Sequence, residues 1–165
     1  MRKVYCLGLV LVLFISCNGN KKEDASDAIV AKDFTLGKLT KIKVTTPKAK
    51  AILSEWPEFN ALETSFNALY KVDSEEGLTL VVEDLIEKQK LLKASEYPEE
   101  FNKAQIKSRQ NVLKTFVLKT KGDMEYGIDP QESVQEMVAA YNALRNQFNV
   151  IVNNPLDIQS ILDKK

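Results

Sequence analysis

Large apolar side chains recur every three or four residues through most of this chain, the spacing that places them along one face of an α-helix. The clearest run has steps of 3, 4, 3, 4 and 3 residues and follows the helix-opening sequence Asp129-Pro130. Four such stretches of about 20 residues, joined by short loops, predict an all-α protein whose helices pack up-down into a bundle. The clearest run consists of Val134, Met137, Tyr141, Leu144, Phe148 and Ile151.

Local signals predict where the first two helices begin. Thr46-Pro47 is typical of an N-cap followed by proline at the first helical position. Pro57 lies inside the same apolar pattern and predicts a kink or a restart. Asp73 with Glu76 resembles a capping box for the next helix.

Other signals predict the boundaries of the later helices. Ser95 and Pro98 are expected to open the third helix, and Gly122 is expected at its C-terminal end. After the fourth helix, Asn154-Pro155 predicts a short C-terminal turn or helix.

Composition excludes several classes of function. The chain of 165 residues contains no histidine, which removes Ser-His-Asp and Cys-His catalytic sites and zinc sites that use histidine. Its 23 basic and 23 acidic residues balance, so no overall basic field favours nucleic acid. None of the six glycines lies in a nucleotide-binding loop motif. We therefore expect no cofactor, no metal and no nucleic-acid partner.

The first sixteen residues have the pattern of an export signal. A basic start, Met1-Arg2-Lys3, precedes an apolar run of 12 residues from Val4 to Ile15. At about 1.5 Å per residue this run spans roughly 18 Å, less than the roughly 30 Å hydrocarbon core of a membrane.

The apolar run ends in Leu13-Phe14-Ile15-Ser16-Cys17, which resembles the lipobox of bacterial lipoproteins of the Bacteroidota type. The resemblance implies cleavage before Cys17, a diacylglycerol group on its thiol and acylation of the new amine. Two or more acyl chains make a stable anchor, at about 0.8 kcal/mol per buried CH₂. The alternative is a plain signal peptide or N-terminal anchor in which Cys17 occurs by chance.

These patterns divide the chain into a lipoprotein signal peptide at 1–16, a lipidated tether at 17–45 and a helical bundle domain at 46–165. Asn18 follows the cysteine, so the aspartate that retains enteric lipoproteins at the inner membrane is absent. We expect a lipid-anchored protein of the outer membrane.

Lys22-Glu23-Asp24 resembles a tag of surface lipoproteins and implies exposure at the cell surface. A solvated tether is the alternative.

Residues 38–50 contain five lysines and no acidic residue. Such a segment is a candidate contact with anionic lipid headgroups, at about 1 kcal/mol per lysine, and a soluble linker is the alternative. The alternation of Ile42 and Val44 predicts a short extended segment. The five residues are Lys38, Lys41, Lys43, Lys48 and Lys50.

Arg109 and Arg145 are the only arginines after the signal, and both fall close to core positions of the third and fourth helices. They are candidates for contact with an anionic group between helices. The alternative is an ion pair with a neighbouring helix, for example with Glu63 or Glu87.

Two kinds of internal repeat are present. Residues 54–58 (Ser-Glu-Trp-Pro-Glu) resemble residues 95–99 (Ser-Glu-Tyr-Pro-Glu), and an aromatic-Asn-Ala-Leu pattern occurs at 59–62, 66–69 and 141–144. Either bundle helices share a heptad with an aromatic core position, or a helical hairpin was duplicated.

The function that we expect is non-catalytic binding or scaffolding, through contact with an envelope protein. The alternative is a bundle that holds a small or lipidic molecule between its helices, which requires an enlarged core cavity. A second alternative is a hydrolase with two carboxylates across a cleft. Glu83, Glu87 and the acidic cluster at 96–100 are its candidate groups, and we expect Glu83 and Glu87 on a solvated helix surface.

Overall fold

The computed structural model describes residues 34–153, which are helical apart from turns, loops and one extended segment. Residues 34–46 form this extended segment, here called the strap. The signal peptide, Cys17 and the expected turn after Asn154 lie outside the described residues. The helices are α1 (Pro47–Ser54), α2 (Pro57–Leu69), α3 (Glu75–Ala94), α4 (Ala104–Glu125) and α5 (Gln131–Asn153), with a 3₁₀ turn at Glu99–Phe101.

Neighbouring long helices run antiparallel. Ser65, in the second half of α2, donates a hydrogen bond to Asp84 in the middle of α3. Trp56, just before α2, donates to Ser95, just after α3. The closest helix pairs are α2 with α3, α3 with α4, and α4 with α5. The predicted all-α, up-down four-helix bundle is therefore confirmed for α2 to α5, and α1 is a short addition at one end.

Aromatic rings from α2 and α5 fill the centre of the bundle. Phe66 and Tyr141 stack with 3.8 Å between ring centroids and 3° between ring planes. Phe59 meets Phe148 edge-on at 5.2 Å. The four rings are at most 1% exposed, so the repeated aromatic residues occupy core positions, as the shared-heptad interpretation requires.

The starts of the early helices follow the predicted signals with one correction. Thr46 caps α1, because its hydroxyl accepts a hydrogen bond from the backbone amide of Ala49 at 3.4 Å. Pro57 restarts the chain as a separate helix. The cap of α3 is Ser74 and not Asp73, since the Ser74 hydroxyl reaches the amide of Gly77 at 3.1 Å.

The third long helix begins later than expected. Ser95 ends α3 instead of opening α4, and its hydroxyl donates to the carbonyl of Leu92 at 2.9 Å. Pro98 precedes the 3₁₀ turn, and α4 begins only at Ala104. Residues 95–103 therefore form a loop that crosses one end of the bundle.

Gly127, and not Gly122, terminates α4. Its φ of +66° lies in the left-handed region that glycine adopts most readily. The amide of Ile128 bonds the carbonyl of Asp123 at 2.8 Å, and the amide of Gly127 bonds that of Met124 at 3.1 Å. These two bonds form a Schellman motif, which satisfies carbonyl groups at the helix end.

The predicted boundary between tether and bundle lies at residue 46, but the described residues before it pack on the bundle, with Leu36 in the core and Leu39 and Ile42 against it. Leu36 and Thr45 are buried, Leu39 and Ile42 are half-buried, and Val44 is 84% exposed. Burial thus recurs every third residue, the period of a polyproline II helix, and not every second residue as the alternation predicted. The strap is extended as expected but belongs to the folded domain.

None of the five described helices combines the length and the apolar character that crossing a membrane requires.

Candidate functional site

Three side-chain amides on α5 hold the strap. Gln135, Asn142 and Asn149 are seven residues apart, so they lie on one face of the helix. Each accepts a hydrogen bond from a strap amide and donates one to the carbonyl two residues earlier in the strap. We call this set the amide ladder.

The distances show that Asn142 is well placed in the amide ladder. Its Oδ1 accepts from the Lys43 amide at 2.7 Å, and its Nδ2 donates to the Lys41 carbonyl at 3.0 Å. Asn149 accepts from the Thr46 amide at 2.8 Å, again three residues further along the strap.

The amide ladder can form because the spacing of its side chains along α5 matches the spacing of their backbone partners along the strap. Seven residues of an α-helix rise about 10.5 Å. Three residues of an extended chain rise about 10 Å. Each step of seven along α5 therefore meets a step of three along the strap, which is the spacing of Thr40, Lys43 and Thr46.

Arg145 joins the strap to both helices beside it. The residue is 7% exposed, and its Nε donates to the carbonyl of Lys43 at 2.6 Å. Its Nη1 donates to the Glu63 carboxylate on α2 and to the Tyr141 hydroxyl at 3.1 Å. The ion pair with Glu63, weighed above as the alternative for this arginine, is confirmed.

The contacts of Arg145 hold the strap, α2 and α5 together and therefore indicate a structural role. Burial raises the pKa of the Tyr141 hydroxyl, against the opposing effect of the nearby Arg145 guanidinium, so the hydroxyl keeps its proton further into the alkaline range than a free tyrosine does. An external anion at Arg145 would have to compete with Glu63. Arg109, by contrast, is exposed on α4 and forms no ion pair with residues of the described range, so the expected position near the core is wrong for it.

The five lysines lie on the strap and on α1, and all of them are exposed. Lys48 donates to the carbonyl of Val152 at 3.0 Å, which places a cation at the C-terminal end of α5, where the helix dipole favours it. Because this stretch is docked on the bundle, the soluble-linker interpretation is wrong for it. Contact of these lysines with anionic lipid stays a prediction.

The two Ser-Glu-aromatic-Pro-Glu segments meet at one end of the bundle. Trp56 is 2% exposed, and its ring centroid lies 4.9 Å from that of Tyr97. The Trp56 indole donates to the Ser95 hydroxyl at 2.9 Å. Residues 41 positions apart in sequence thus form one rigid aromatic pair.

A surface groove of about 730 Å³ lies over this aromatic pair. Its walls carry five carboxylates, and Pro57, Pro98 and Ile52 supply apolar surface. We call it the acidic groove. Its carboxylates belong to Glu55, Glu58, Glu96, Glu99 and Glu100.

A second cleft of about 730 Å³ lies beside Tyr97 and is mostly polar. Gln110 lines this polar cleft and is 4% exposed. Its Oε1 accepts a hydrogen bond from the Tyr97 hydroxyl, whereas its Nε2 has no partner among the described residues. A buried donor left without a partner costs about 1–3 kcal/mol, so an acceptor placed there would be favoured.

Among the carboxylates proposed for hydrolysis, Glu96, Glu99 and Glu100 line the acidic groove, whereas Glu83 and Glu87 lie elsewhere, on α3. Glu83 lies 3.9 Å from Lys121, and Glu87 lies 3.6 Å from Lys88. Their side chains are 56% and 66% exposed, which confirms the expected solvated surface. Within residues 34–153, no group of three or more carboxylates is arranged to hold a metal ion.

Sequence reasoning missed the amide ladder and Gln110. The signal for the ladder was present, since asparagine follows the aromatic residue in the repeat at 141–144 and again at 148–149. Nothing in the sequence distinguishes Gln110 from other helix glutamines.

Comparisons with protein-family models, with curated proteins and with solved structures each find no match to this chain.

Proposed function

We propose that this chain is a lipid-anchored envelope protein with a non-catalytic domain that binds a partner protein at the acidic groove. The lipobox-like sequence at Cys17 supports the anchor. The filled core supports a role for the surface, because rings such as Phe66 and Tyr141 occupy the space between helices where an internal ligand would sit.

The observation that carries the proposal is the meeting of the two Ser-Glu-aromatic-Pro-Glu segments. Trp56 and Tyr97 are fixed by packing and by the bond to Ser95, so the groove above them is preorganised. Its five carboxylates fit a partner segment rich in lysine or arginine, because complementary charge speeds and orients association.

Charge reversal tests the groove. We expect Glu55→Lys with Glu100→Lys to weaken capture of a basic envelope protein by tenfold or more. The matched control is Glu87→Lys with Glu125→Lys, which changes net charge equally at exposed sites away from the groove. Capture that is equal for both double variants and for the unchanged protein would refute the proposed surface.

Cell fractionation tests the anchor. Cys17→Ala should release the protein from membranes, while protease treatment of intact cells should degrade a surface-exposed form. Retention of Cys17→Ala on membranes would contradict lipid anchoring.

The unpartnered amide of Gln110 favours a second candidate function, the binding of a small polar molecule in the polar cleft. Mass spectrometry of molecules released when the purified protein is denatured tests it. A compound that is released from the unchanged protein and from Gln105→Met, but not from Gln110→Met, would support this function. If the unchanged protein releases no compound, the binding function is refuted.

A further inference from the structure

We propose that the cleft between the strap and α2 binds a short extended peptide with an acidic side chain, which lies along the strap as a second extended chain. This side cleft has a volume of about 340 Å³ and is separate from the acidic groove and the polar cleft. The inference does not depend on the proposed function. Its main lining residues are Ile42, Thr45, Lys50, Asn60, Asn67 and Arg145.

The first argument is the spacing of asparagines on α2. Asn60 and Asn67 are seven residues apart and line the side cleft, as Asn142 and Asn149 are seven apart on α5 and hold the strap. The Nδ2 of Asn60 already donates to the Ser54 carbonyl at 2.9 Å, which leaves its Oδ1 as an acceptor. The match of seven helical residues to three extended ones applies equally to α2. Asn67 is exposed and has no hydrogen-bond partner within residues 34–153, so its amide is available to a peptide backbone.

The second argument is the edge of the strap that borders the side cleft. Thr45 lines the cleft, and neither its hydroxyl nor its backbone forms a hydrogen bond with the described residues. Ile42, three residues earlier, has equally unpartnered backbone groups. A peptide that lies along this edge would pair with these groups through its own backbone.

The third argument is charge. Lys43 and Lys50 border the side cleft with exposed side chains, and Arg145 adds a third cation. Glu63 is the one carboxylate among the lining residues, and it is already paired with Arg145. The remaining positive charge favours a peptide with an aspartate or glutamate side chain over a neutral or basic one.

Binding of a defined peptide tests the inference. The protein is the chain from residue 17 onward, which keeps every described residue and the whole described core. The probe is a hexapeptide of alternating valine and aspartate, acetylated and amidated at its ends, with fluorescence anisotropy and amide NMR spectra as readouts. We expect saturable binding, with shifts of the Ile42, Thr45 and Asn67 amides.

Two variants locate the site. Asn67→Ala and Thr45→Val each remove one hydrogen-bonding group and should weaken binding about fivefold or more. Asn67→Ala changes an exposed helical residue, so the fold is retained even if Thr45→Val disturbs packing. The matched control Asn111→Ala, an exposed helical asparagine at the polar cleft, should bind like the unchanged protein.

Four results would overturn the inference. They are no binding at about 1 mM peptide, equal binding of a valine–lysine peptide, the same amide shifts with sodium acetate alone, and equal affinities for Asn67→Ala and Asn111→Ala. The acetate result would identify a simple anion site.

Discussion

Asn142 binds the backbone of Lys43 across 99 residues of sequence, through an acceptor distance of 2.7 Å. The same side chain donates to the Lys41 carbonyl, so one amide group holds two backbone groups of the strap. This contact connects the folded bundle to the segment that leads towards Cys17. A pull on the chain before the strap would therefore act on the amide ladder before it acts on the helices.

Replacing Asn142 tests how much the amide ladder contributes to stability. Asn142→Ala removes two hydrogen bonds and leaves two strap groups without partners, so we expect a loss of about 2–3 kcal/mol in the free energy of unfolding. Urea denaturation measures it. Asn146→Ala, at an exposed position of the same helix, should change stability by less than about 0.5 kcal/mol. Similar values for the two variants would show that the strap contributes little.

The two arginines should behave differently. Arg145→Met removes bonds to Lys43, Glu63 and Tyr141, and we expect it to destabilise the protein by about 2–4 kcal/mol. Arg109→Met, at an exposed site, should stay within about 0.5 kcal/mol of the unchanged protein. Thermal denaturation of both variants provides the comparison, and an equal effect would contradict the role given to Arg145.

The buried Tyr141 hydroxyl predicts a loss of stability at alkaline pH. Its pKa is raised in the folded state, whereas the unfolded state loses this proton near pH 10. Above pH 10 the unfolded state therefore binds fewer protons, and the free energy of unfolding falls by up to about 1.4 kcal/mol per pH unit.

Tyr141→Phe should make this decline shallower, because phenylalanine has no proton to lose. Tyr126→Phe is the control, since Tyr126 is 83% exposed. Urea denaturation at pH 8, 10 and 11 measures the slopes. A decline as steep in Tyr141→Phe as in Tyr126→Phe would show that other groups cause it.

Ser95→Ala tests the bond that joins the two Ser-Glu-aromatic-Pro-Glu segments. The change leaves the Trp56 indole N–H without its acceptor, and we expect a loss of about 1–3 kcal/mol. Trp56 is the single tryptophan, so its fluorescence reports on this end of the bundle during unfolding. Ser108→Ala, at an exposed position of α4, is the control. If Ser95→Ala and Ser108→Ala are equally stable, water replaces the Ser95 hydroxyl as acceptor for the Trp56 indole.

Helical periodicity was sufficient to predict the bundle because each long helix has an apolar face that must be buried. The helix ends were harder to predict. Ser95 matched an opening signal, but its hydroxyl bonds back to Leu92 and ends α3. Gly122 matched a terminating signal, but a glycine inside a long packed helix is tolerated, and only Gly127 adopts the left-handed conformation.

The strap was only half predictable. Its extended conformation followed from Ile42 and Val44, but its docking depends on the amide ladder, whose residues lie about 100 positions later. No local pattern contains that information. The convergence of Trp56 and Tyr97 likewise required the antiparallel pairing of α2 and α3, which brings the two repeated segments to the same end.

The anchored-domain proposal depends most directly on the chemistry of Cys17. Mass spectrometry of the N-terminal peptide, prepared from protein extracted from membranes, examines it. The account predicts a peptide that begins at Cys17 and carries a diacylglycerol thioether. A peptide with an unmodified thiol at Cys17, or one that still includes residues 1–16, would contradict it.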